Sequence, residues 1–134
     1  MSDGTPGQVV IGREEFEHVV IDIMGDTYEG WSSCNVTVQC DVWSGTFRWN
    51  AYRGELRHFA DVLQQLYQSL SGVAELQPLE PNIRLKVFGD GKGHITVEGK
   101  AIGQFTSGAY LVFRFYIDQT DIPKIVKALR VVDH

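Results

Sequence analysis

The hydrophobic period changes along the chain, and that change narrows the folds open to it. In the stretch FEHVVIDIM from Phe16, Val19, Ile21 and Ile23 alternate with Val20, Asp22 and Met24. In CNVTVQCDVW, Val36, Val38, Cys40 and Val42 alternate with Asn35, Thr37, Gln39 and Asp41. A period of two sends successive side chains to opposite faces, so both segments predict half-buried antiparallel strands. Gly25 and Asp26 predict a turn after the first, Ser44 and Gly45 a break after the second, and TFRWNAYR a further strand. The period then lengthens. In GELRHFADVLQQLYQSLSG, Leu56, Phe59, Leu63, Leu66, Tyr67 and Leu70 recur at three and four residues, the stripe of an amphipathic helix, with Gly72 placed to stop it.

Strand character returns in AELQP, IRLKVFG, HITVEGKAI and AYLVFRFYID, the last with Leu111, Phe113, Phe115 and Ile117 on one face. A final helix is expected from Thr120 or Asp121, with Pro123 in its first turn and Ile122, Ile125, Val126 and Leu129 toward the core. The expected class is α+β, an antiparallel β-sheet with two amphipathic helices packed on one face. At 134 residues, 43% hydrophobic and 22% charged, the chain suits one domain spanning 1–134, with residues 1–8 a flexible tail. The opening MSDGTPGQVVIG has neither a basic start nor a continuous apolar run, which predicts no signal peptide, no membrane span and a cytoplasmic protein. Cys34 and Cys40 share a strand face but sit roughly 20 Å apart if extended, beyond disulfide reach. They are expected as reduced thiols in or near the core.

The glycine-rich stretch FGDGKGHITVEGKA, residues 88 to 101, invites a phosphate-loop reading. Such a loop needs a helix after it, because free N–H groups at a helix start hold the anion. Here an alternating strand follows, so a hairpin between IRLKVFG and HITVEG is expected, with its tip as a possible partner contact. His18, His58, His94 and His134 form no pair at metal-ligand spacing, and there is no GxSxG elbow. Glu15 and Glu17, read as neighbours on one strand face, suit solvation better than catalysis. No catalytic residue, metal ligand or cofactor is assigned, and no enzyme is expected.

Charge is more informative. The net charge is −5, yet residues 1–47 hold eight acids against one base, Arg13, a balance of −7, while the remainder is +2. An acidic half disfavours nucleic acid, whose binding needs cations to displace counterions, and suits a basic protein. Phe47 and Trp49 share a face and are expected in the core, whereas Tyr28 and Trp31 lie among acids in DTYEGWSS, where an exposed aromatic could anchor a partner. The candidate partner-binding residues are therefore Glu14, Glu15, Glu17, Asp22, Asp26, Tyr28, Glu29 and Trp31. The alternative is a ligand-binding or enzymatic domain with a pocket between sheet and helices, lined by residues such as Trp43, Trp49 and Tyr116. Alternating strands with unprotected edges leave monomer and homodimer both open.

Three segments of the second half, ELRHFADVLQQLYQSLSGVAEL, IRLKVFGDGKGHITVEG and LVFRFYIDQTDIPKIVKAL, resemble the WapI-type immunity proteins of bacterial polymorphic toxin systems. GDGKGHITVEG and FYIDQTDIP are the most specific pieces. The resemblance implies a small, non-catalytic cytoplasmic protein that binds and neutralises a toxin domain delivered by another cell. A basic toxin would complement the acidic half.

Overall fold

A computed structural model describes residues 7–26 and 29–133. The first four strands are β1 (Gln8–Gly12), β2 (His18–Asp26), β3 (Trp31–Cys40) and β4 (Trp43–Tyr52), followed by α1 (Glu55–Ser69). The next four are β5 (Val73–Leu76), β6 (Ile83–Gly89), β7 (His94–Ala101) and β8 (Leu111–Asp118). A 3₁₀ turn (Gln119–Asp121) leads into α2 (Ile122–Val132).

The α+β class, the antiparallel pairing and the two helices are as expected, but the strands divide into two sheets. One has the order β1-β2-β3-β4 and the other β5-β6-β7-β8. The division follows from α1, which packs on β5 and on α2, while α2 lies against β1. β5 thus pairs with β6 and packs against α1. Val19, Ile21, Val36 and Val38 of the N-terminal sheet and Ile95, Val97, Phe113 and Phe115 of the C-terminal sheet join one cluster of buried side chains with Leu56, Phe59, Leu63 and Leu66 of α1. Burial of this order stabilises by about 1.5–3 kcal/mol per large apolar side chain.

Several boundaries differ from the sequence reading. β1 begins at Gln8, the last residue of the expected tail, and buries Val9 and Ile11. QVVIG is too short for its alternation to stand out, and its pairing with β2 supplies what its own pattern lacks. Ser44 and Gly45 lie inside β4, paired with Gln39 and Val38. The turn falls at Asp41, whose φ of 56 supplies the left-handed step. β2 continues through Gly25, paired with Ser33, to Asp26, and Met24 is the extra residue of a bulge between Ile23 and Gly25. α1 stops before Gly72, with Leu70 at φ 57 returning its N–H to Leu66 O. Glu15 and Glu17 lie in the turn before β2 rather than on a strand.

Polar side chains join the pieces. Trp49 is 1% exposed and donates its indole N–H to Glu80 O at 2.8 Å, tying β4 to the β5–β6 loop. Buried Asn82 donates to Ile102 O at 3.0 Å, closing the far end of the β6–β7 pair. Asp121 accepts from Asp118 N at 3.0 Å, capping the 3₁₀ turn, and from Arg13 at 3.4 Å, tying that turn to the β1–β2 connection.

Candidate protein-binding site

The β1–β2 turn, residues 13–17, is closed by Phe16 N donating to Arg13 O and Arg13 N to Glu17 O, each at 2.9 Å. Its last carboxylate reaches across the sheet end. Glu17 Oε2 accepts from Asp41 N at 3.2 Å and lies 3.3 Å from Cys40 Sγ, so one acid joins the β1–β2 and β3–β4 turns. The apolar side chains carried by these turns face solvent. Phe16 is 71% exposed, Val42 77% and Trp43 63%. Glu14, Glu15 and Asp41 are carried by the same two turns, all exposed and without an ion pair among the described residues. Exposed aromatics within charge are the composition of protein-recognition anchors.

The other candidates are elsewhere. Asp22 is midway along β2 and accepts from Gln8 Nε2 at 2.8 Å. Asp26 ends β2, Glu29 is exposed in the following turn at φ 55, and Trp31 opens β3 with its ring edge-on to Tyr52 at 4.9 Å. Tyr28 lies outside the described residues. The length of β2 separates Glu14, Glu15 and Glu17 from Asp26, Glu29 and Trp31, roughly 26 Å at about 3.3 Å per residue. Apart from Asp22, the candidate acids therefore form two groups, one at each end of the N-terminal sheet. Phe16 and Val42 were legible only as members of strands, because nothing local shows that Glu17 will join a turn 24 residues further along the chain.

The pocket expected between sheet and helices does not have the expected lining. Trp49 is core, while Trp43 and Tyr116 face solvent. The space between the layers is filled by the buried cluster. Cys34 and Cys40 are free thiols. Burial pushes Cys34 up to about 11, and Cys40 is raised by desolvation and by the neighbouring Glu17 carboxylate. Both are held as thiols, which are poor nucleophiles. Among the described residues no three His, Cys, Asp or Glu side chains come together to hold a metal ion. No helix is long and apolar enough to cross a membrane among those residues.

The glycine stretch is the β6–β7 hairpin. Asp90 Oδ1 accepts from Lys92 N at 2.7 Å and His94 N at 3.2 Å, and Oδ2 meets His94 Nδ1 at 2.8 Å. Gly91 at φ 79 and Gly93 at φ 96 supply the left-handed steps. A carboxylate occupies the N–H groups that a phosphate would need.

The fold defines an α+β protein of two antiparallel four-stranded sheets and two helices, with exposed acidic residues on turns at both ends of the N-terminal sheet. The model of the immunity protein WapI-like family matches residues 10–132, and the chain belongs to that family. The match spans both sheets and both helices, so it takes in the N-terminal half that the sequence resemblance did not reach. No curated protein matches the chain.

Proposed function

We propose that this protein neutralises a toxin domain by binding it, without catalysis, in the cytoplasm of the cell it protects. Family membership supports the toxin as partner. The observation that carries the choice of surface is the joining of two turns by Glu17, which displays Phe16, Val42 and Trp43 among Glu14, Glu15 and Asp41. Such a surface complements a basic domain with an apolar recess. Charge steers the encounter and the aromatic side chains hold the complex.

The test is a pull-down of the purified protein against lysate of its source organism, with each captured domain then expressed alone and beside the protein. Stoichiometric capture of a domain whose toxicity disappears on co-expression is expected. A captured domain that remains toxic in the complex, or no captured toxic domain at all, overturns the reading.

A further inference from the structure

A second surface lies on the outward face of the C-terminal sheet. Strand register sets its side chains in rows. Glu75, Lys86, Glu98 and Arg114 form an alternating row across β5 to β8, with Arg114 bonded to Glu98. Beside it, Arg84 stands directly opposite Lys100, and Lys100 opposite Val112. On the other side Val73, Phe88, Thr96 and Tyr116 form a largely apolar row.

Two cations directly opposite each other on a sheet destabilise it. Nothing in the core requires the pair, since Arg84 points outward and is exposed. Arg84, Lys86 and Lys100 form no ion pair among the described residues. Lys100 is held in place, its Nζ 4.4 Å over the Tyr110 ring. An open groove of about 530 Å³ runs across these residues, lined by Arg84, Lys86, Lys100 and Arg114 against two carboxylates, Glu75 and Glu98, and bordered by Val112. Val112 and Tyr116 are 67% and 68% exposed.

We propose that this face docks an acidic segment of a protein, with carboxylates on Arg84, Lys86 and Lys100 and apolar side chains against Val112 and Tyr116. The proposal is independent of toxin capture, which uses the other sheet. Arg84 and Lys100, directly opposite each other with no carboxylate between them, call for an anionic partner, and the flanking apolar row calls for one that also carries apolar groups. A chain of net charge −5 repels a long polyanion, which disfavours nucleic acid.

The test is an NMR titration of the isotope-labelled full chain with a short synthetic peptide rich in glutamate and carrying one leucine and one tyrosine. Parallel titrations use the same peptide with glutamine for glutamate, and an oligothymidylate. Shifts confined to the outward residues of β5 to β8 are expected with the acidic peptide. The Arg84→Gln/Lys100→Gln double variant, checked for a native amide spectrum, should weaken the acidic peptide about tenfold. The Val112→Ser/Tyr116→Ser variant should weaken it by a similar factor, which a purely ionic association would not show. Absence of binding, shifts centred elsewhere, equal affinity for the glutamine peptide, unchanged affinity in either variant, or oligothymidylate binding as tight on the same face would each overturn the proposal.

Discussion

The Asp133 carboxylate, just past the end of α2, accepts from the backbone N–H of Arg57 at 3.0 Å in the first turn of α1. The same carboxylate takes the N–H of Gly54 at 2.9 Å. Gly54 occupies the N-cap of α1 and has no side chain to satisfy these donors, so the cap comes from the other end of the chain. Its negative charge also sits favourably at a helix N-terminus. Replacing Asp133 with Ala should cost about 1–2 kcal/mol, as loss of a helix cap does. Asn should recover part of it. Urea denaturation of both variants measures this, and an unchanged midpoint for the Ala variant would show that the contact carries no weight.

A second prediction concerns Gly99, opposite Phe113 on the inward face. A Cβ there would meet the Phe113 ring at 2.2 Å. That ring is buried and stacked at 6.2 Å on Phe115, so it has little room to move. Gly99→Ala should destabilise by about 1–3 kcal/mol, the cost of overpacking. Combining it with Phe113→Leu should give less loss than the sum of the two single changes, measured in a double-mutant cycle.

The hairpin tip should respond to acid. The His94 side chain and the Lys92 N–H hold Asp90 below its ordinary 3.8, so folding favours the deprotonated form. Its contribution is therefore complete above the ordinary aspartate range and is lost as pH falls through the lowered value. Asp90→Asn should lower the hairpin's amide protection near neutral pH and flatten its acid dependence. Hydrogen exchange across residues 88–96 at several pH values checks both effects. Equal acid sensitivity in variant and wild type would remove the assigned cause.

The thiols should be unreactive while the protein is folded. Cys34 is raised from 9.0 to about 11 chiefly by burial, so the folded state favours its protonated form. That contribution is complete below the ordinary thiol range and is lost as pH rises toward about 11. Alkylation of Cys34 near neutral pH should be slow until denaturant is added. Cys34→Ala should reduce the alkaline loss of stability, read from denaturation midpoints across that range.

The two acidic groups at opposite ends of β2 allow the toxin-binding surface to be located. Glu14→Lys with Glu15→Lys should weaken capture of the toxin about tenfold or more. Asp26→Lys with Glu29→Lys should leave it unchanged, and neither pair should lower the thermal midpoint by more than a few degrees. Binding titrations of both double variants decide between the ends, and the reverse pattern would move the interface to the end that bears Trp31.

Local period was enough to show that the segments around Val19, Val36 and Phe113 are strands and that those around Leu63 and Ile125 are helices. Each signal lies within a few residues, where backbone geometry alone dictates which side chains share a face. The hairpin at Gly91 and Gly93 was legible for the same reason. The division into two sheets was not, because it depends on α1 covering β5, a contact between elements. Nor was the split of the acids. Whether Glu14 and Glu29 share a surface depends on the direction of β2, and the joining of Phe16 to Trp43 depends on one carboxylate bridging two turns distant in the chain. The sequence by itself determined the elements, the charge imbalance and the family likeness. Tertiary structure decided which charges and aromatics meet, since proximity between distant segments is set by packing and not by local pattern.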